Sequence, residues 1–115
     1  MYALNGVAQE IKIELGKTQL PITEYFTISV KLQNESIKTI SDFPEIEGFQ
    51  KSNRPRTRAR ITVAGKTTVE ETITQNYAAL KEGSYILKPF TLKVNGKVVA
   101  SKGGSLTCYH FTVNF

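Results

Sequence analysis

The stretch Tyr25–Phe26–Thr27–Ile28–Ser29–Val30–Lys31–Leu32–Gln33 alternates large apolar side chains with polar ones from end to end. Successive side chains on an extended chain point to opposite faces. Phe26, Ile28, Val30 and Leu32 therefore make one apolar face, and Thr27, Ser29, Lys31 and Gln33 the other. This is a half-buried strand, closed by Asn34 as a turn residue. Upstream, Ile11, Ile13 and Leu15 alternate with Lys12 and Glu14 until Gly16 stops the run. Downstream, residues 35–48 are irregular, but Phe43 and Ile46 are too large and apolar to sit idle in a loop; they are expected to plug the edge of the core. Phe49 opens another extended stretch.

Residues 56–63 and 67–77 read as a hairpin about Ala64–Gly65–Lys66. A three-residue loop would pair Val63 with Thr67, Ile61 with Val69 and Thr57 with Ile73, gathering the apolar residues on one face and setting Arg60 opposite Glu70. A two-residue loop would place Val69 and Ile73 beside the arginines, so the three-residue loop is the expectation. Leu80–Lys81–Glu82–Gly83–Ser84–Tyr85 forms a corner that leads into a strand through Val94. Its Tyr85 is placed like the tyrosine corner of immunoglobulin-like domains, where the hydroxyl closes onto upstream backbone. Asn95–Gly96 is a two-residue hairpin signal that returns the chain through Val98 and Val99. Gly103–Gly104 breaks that run, and Leu106 to Val113 is a last strand with Tyr109, Phe111 and Val113 on one face. No helix longer than a turn is legible, and there is no internal repeat. Short strands punctuated by turns imply an all-β, immunoglobulin-like antiparallel β-sandwich. With no Trp and a single Cys, it lacks the core pin of an antibody domain.

Composition agrees with one such domain. The chain has 115 residues, 40% hydrophobic and 22% charged, with a mean hydropathy of −0.22. Those values exclude a disordered chain, a collagen-like repeat and a coiled coil. No apolar run approaches the roughly 18 residues of a membrane span. A net charge of +5 permits an anionic partner without requiring one. One cysteine and one histidine exclude a disulfide framework, a cysteine-based zinc site and a multi-histidine metal centre. Residues 9–115 are read as the single sandwich domain. Met1–Ala8 lacks the basic and long apolar regions of an intact signal peptide, but Gly6–Val7–Ala8 has the small-x-small pattern of a cleavage site.

The order of several motifs carries a resemblance. Tyr25–Val30, Asp42–Phe43–Pro44–Glu45–Ile46–Glu47–Gly48–Phe49, Thr74–Gln75–Asn76–Tyr77, Lys81–Glu82–Gly83–Ser84–Tyr85, Pro89–Phe90–Thr91–Leu92–Lys93–Val94–Asn95–Gly96–Lys97 and Ser101 together look like the N-terminal region of BatD proteins. These belong to the bacterial aerotolerance (oxygen tolerance) family. The likeness spans residues 9–113. It departs at Ala78–Ala79–Leu80, where the family often has a Thr–Pro pair, and at 53–60, arginine-rich here and typically Ser/Thr-rich there. The resemblance implies an exported envelope protein, periplasmic and anchored by a membrane segment outside this sequence. It implies work beside von Willebrand A-type and tetratricopeptide Bat proteins with a MoxR-type ATPase nearby. It also favours Met1–Ala8 as the remnant of an export signal. No catalytic residues are known for such domains, so the resemblance carries none over.

The candidate binding residues are Lys51, Arg54, Arg56, Arg58 and Arg60. On an extended chain Arg56, Arg58 and Arg60 share a face at about 7 Å spacing, and Arg54 would continue the ladder past Pro55. Guanidinium groups bind carboxylate or phosphate through two parallel hydrogen bonds. The ladder is either a docking stripe for an acidic surface or a charged edge that prevents sheet-to-sheet aggregation. It lacks the interleaved aromatics that stack on bases, so nucleic acid is not an expected partner. Cys108 and His110 could pair as nucleophile and base only with a third group to orient the imidazole, and none is identifiable. Cys108 is expected to pack as a small apolar residue and His110 to be exposed. Asp42, Glu45 and Glu47 lack calcium-loop spacing. Tyr77, Tyr85, Phe90 and Phe111 are read as core aromatics. No catalytic, metal or cofactor site is expected. The functional expectation is a non-enzymatic extracytoplasmic interaction module docking with other Bat proteins at the inner membrane. The alternative is an accessory domain that binds anionic lipid or carbohydrate.

Overall fold

A computed structural model describes residues 11–110, all strand and loop. The Met1–Ala8 reading and the placement of Phe111 and Val113 lie outside the described residues. Ten strands follow in order: β1 (Ile11–Leu15), β2 (Gln19–Pro21), β3 (Tyr25–Gln33), β4 (Phe49–Lys51), β5 (Arg56–Val63), β6 (Lys66–Ala79), β7 (Gly83–Leu87), β8 (Phe90–Val94), β9 (Lys97–Ser101) and β10 (Gly104–Tyr109). The first sheet runs β1-β3-β6-β4, with β5 also paired to β6. A three-stranded sheet β2-β10-β7 and a two-stranded sheet β8-β9 complete the fold. All pairs are antiparallel except β2 with β10. The chain is an all-β sandwich, as its alternation predicts.

The core lies against the inner face of the first sheet. Phe26, Ile28, Val30 and Leu32 of β3 are sealed from solvent, and Ile73 and Tyr77 of β6 join them. From the facing sheets come Leu20, Leu87, Leu92, Val94, Leu106 and Cys108. Complete burial of one such side chain contributes about 1.5–3 kcal/mol, so the unbroken alternation of β3 accounts for a large part of the hydrophobic stabilisation. Phe43 and Ile46 plug the core edge from the irregular segment, as expected, and Ile37 joins them from the same segment. The Tyr77 hydroxyl donates to the Pro44 carbonyl at 2.7 Å, tying that segment to β6.

The tyrosine corner and the two-residue Asn95–Gly96 turn are both present. The Tyr85 hydroxyl donates to the Lys81 carbonyl at 2.5 Å. Val94 pairs with Lys97, and Asn95 and Gly96 both have positive φ. The Asn95 side chain also accepts from the backbone N–H groups of Lys38 and Thr39, fastening the irregular segment to the turn.

Three expectations are corrected. The strand through Val94 is broken at Lys88–Pro89, and β7 and β8 enter different sheets. Pro89 has no N–H to give a ladder, which is why the switch falls there. The last strand opens at Gly104 rather than Leu106 and runs to Tyr109, with His110 outside it; the rest of its expected span lies outside the described residues. The hairpin loop has two residues rather than three. Val63 pairs with Lys66, and Arg60 lies opposite Val69 instead of Glu70. Ala64 and Gly65 both take positive φ, 53° and 77°, the backbone of a turn that matches strand twist.

Candidate functional site

The register of that hairpin follows from events further back along the chain. β4 and β5 lie end to end on the same edge of β6. Lys51 faces Tyr77 and Arg56 faces Ile73. Ser52–Pro55 therefore spans with one residue more what β6 covers with Thr74–Asn76, which is a β-bulge. Its backbone is satisfied by β6. Ser52 N–H donates to Asn76 O at 2.7 Å, and the N–H groups of Asn76 and Thr74 donate to Asn53 O and Pro55 O, each at 3.0 Å. The amide of buried Gln75 donates to Ser52 O at 3.0 Å.

The extra residue inverts every side chain after it. Without it the arginines would occupy the outer face of the sheet. With it, Arg56, Arg58 and Arg60 stand on the same face as Ile73, Glu71 and Val69, the face that holds the core further along. Ile61 and Val63 go to the outer face, exposed at 42% and 67%. The hairpin runs past the core, and all of β5 is exposed.

Where ribbon and core meet, a polar knot forms. Glu71 is buried, with 5% exposure. It accepts from the Ile37 N–H at 2.6 Å and from Arg56 Nη2 at 2.5 Å. Arg56 Nη2 also donates to the Ile37 carbonyl at 2.5 Å. The Ile37 N–H, and with it the Arg56 hydrogen bond and the charges of Arg56 and Arg58, hold the Glu71 carboxyl below the usual carboxylate range although burial opposes this.

The expected five-residue stripe therefore divides. Arg56 is committed to the knot. Lys51 sits on β4, across the bulge, paired with Glu45 at 2.9 Å. Arg54 lies within the bulge, exposed, and does not continue the ladder. Arg58 and Arg60 remain side by side on the open inner face, lining a shallow hollow of roughly 370 Å³ with Ala59 and Val69. Among the described residues neither has a side-chain hydrogen bond or an ion pair. Glu71 is the residue that sequence reasoning missed. Its signal was there, because it falls in phase with Ile73, Gln75 and Tyr77.

The remaining candidates separate. Cys108 is buried in the core, which pushes its thiol up. His110 is exposed and its Nδ1 lies 3.1 Å from Glu82. Among the described residues no three of His, Cys, Asp and Glu gather where a metal ion could sit. A larger groove of roughly 1140 Å³ runs between residues 44–49 and 80–90, walled by Ile46, Phe49, Tyr85, Ile86 and Phe90. Its walls are mainly apolar, and Glu45 on its rim is already paired with Lys51. Among the described residues, Arg58 and Arg60 are two neighbouring cations without an ion pair, and they lie on the hairpin.

Among comparisons with known proteins, the family model described as BatD DUF11 like domain matches residues 13–108. Neither a curated protein nor a solved structure matches the chain.

Proposed function

This chain belongs to the BatD family, and from that premise we propose that it is a non-enzymatic extracytoplasmic docking module that meets other Bat proteins at the inner membrane. The von Willebrand A-type and tetratricopeptide members are the partners in view. The observation that carries the reading is the pair Arg58 and Arg60, held on a hydrogen-bonded two-stranded ribbon and, among the described residues, without an ion pair of their own. Two guanidinium groups at strand spacing suit carboxylates on a facing surface, and the strand sets the distance between their backbone positions. The one cysteine offers no exposed nucleophile to this reading, since Cys108 is inside the core, where burial pushes its thiol up.

The test is charge reversal at both positions, Arg58→Glu with Arg60→Glu, in the membrane-anchored protein. Arg56 is left intact because it serves the fold. The expected result is a loss of co-purification with the von Willebrand A-type partner, the retained fraction falling by about tenfold or more. Because Arg58 lies opposite buried Glu71, charge reversal there also lowers the melting temperature, whereas Arg60→Glu alone, opposite Val69, should weaken capture with an unchanged melting temperature. Undiminished capture by the doubly reversed protein would overturn the reading.

A further inference from the structure

Among the described residues β5 pairs on one side only, with β6, and its other edge is open over its eight residues. The Val63–Lys66 pair closes a two-residue turn, so its members exchange hydrogen bonds, and inward and outward backbone groups alternate from there. The Val69 N–H and C=O confirm the phase, since both turn away from β5 to Asn34. The N–H and C=O groups of Arg56, Arg58, Arg60 and Thr62 therefore point outward along the free edge.

From this edge we infer that β5 accepts one added strand, an extended acidic segment of a partner protein in which Asp or Glu alternates with apolar residues. The inference rests on the docking reading and gives it a geometry. An added strand continues both faces of the ribbon. On the inner face its side chains would stand beside Arg58 and Arg60, which select acids at every second position. On the outer face they would stand beside Ile61 and Val63, which select apolar groups. The bulge at Ser52–Pro55 limits the edge at one end and the Ala64–Gly65 turn at the other, so the segment is about as long as β5. A second copy of this chain does not fit. Two β5 strands joined antiparallel with matching faces would oppose arginine to arginine, and like charges across strands are destabilising.

The experiment uses an eight-residue peptide alternating Glu and Val, titrated into the 115-residue protein with amide hydrogen exchange as readout. A peptide of the same composition with its Glu and Val in separate blocks serves as control. Binding should slow exchange at Arg58, Arg60 and Thr62, and the blocked peptide should bind much more weakly. Thr62→Pro keeps every arginine and removes one outward N–H from an edge strand, where proline is tolerated. It should weaken peptide affinity by about tenfold, one to two hydrogen bonds' worth. A peptide N-methylated at alternate amides makes the same test with the protein unaltered and should also bind weakly. Peptide binding that ignores both Thr62→Pro and N-methylation, or that leaves the amides unprotected, would overturn strand addition while leaving side-chain docking by Arg58 and Arg60 in place. Binding to phosphatidylglycerol vesicles in preference to the peptide would also overturn it and assign the edge to lipid. If partner capture as well as peptide binding is indifferent to the double charge reversal, the docking reading falls with it.

Discussion

Glu71→Ala is expected to lower the unfolding free energy by about 2–3 kcal/mol near neutral pH. The truncation leaves the Ile37 N–H without its acceptor and Arg56 without its carboxylate, at a place where Ile37 and Glu71 are both buried. The half-exposed guanidinium can recover water, so the cost is set mainly by the buried N–H. Glu71→Gln separates charge from shape. It keeps an acceptor for Ile37 and loses the ion pair, so it should cost less than alanine. The sign of the pH dependence follows from the direction of the shift. The folded carboxyl lies below its ordinary value of 4.5, so its stabilisation is complete above about that pH. It is lost as pH falls through the folded value, because the unfolded chain then binds more protons. Urea unfolding at several pH values checks this. The gap between the parent protein and Glu71→Gln should be constant from neutrality down to about pH 4.5 and narrow below it. A gap that does not change with pH would remove the ion pair from the account.

Gly103→Ala should be at least as damaging, with an expected cost of about 3 kcal/mol or more. Gly103 has a φ of +75°, and a Cβ there would lie 2.1 Å from the Leu87 carbonyl oxygen and 2.9 Å from the Lys88 carbonyl carbon. Both neighbours are backbone atoms at the point where the chain leaves one sheet for another, so nothing can swing aside. Gly65→Ala is the control. It has nearly the same φ, +77°, and no atom within 4 Å of the added group. It should cost only about 1 kcal/mol, the penalty of the left-handed backbone alone. Thermal unfolding of the two variants isolates the steric part. Equal losses would mean that the junction yields and that the sheet switch is not rigid.

Much of the fold was legible because alternation is a local property. β3 shows its buried face in nine residues, and Asn95–Gly96 specifies its turn by the φ values those residues tolerate. Tyr85 at the start of a strand was enough to place the corner. Registers were harder, since each depends on a count made elsewhere. The hairpin reads as a three-residue loop when apolar residues are matched locally, and Ala64 is an unusual occupant of positive φ. What decides the register is the demand that Ile73, Gln75 and Tyr77 stay in the core, together with the additional residue in Ser52–Pro55. The arginines were visible as a cluster. That Arg56 would be drawn to a buried carboxylate was not, because Glu71 looks like an interruption of the apolar alternation rather than a member of it. The three residues of β2 are too few to carry a period, and their partner lies at the other end of the described chain.

That pairing has a mechanical consequence. Gln19–Pro21 runs alongside Thr107–Tyr109 in the same direction, fastened by Thr107 N–H to the Thr18 carbonyl and by Ile22 N–H to the Tyr109 carbonyl. Tension that reaches Gln19 from one side and Tyr109 from the other pulls the two strands lengthwise in opposite senses. The load is then shared across the whole clasp in shear, where an antiparallel end would be peeled open one bond at a time.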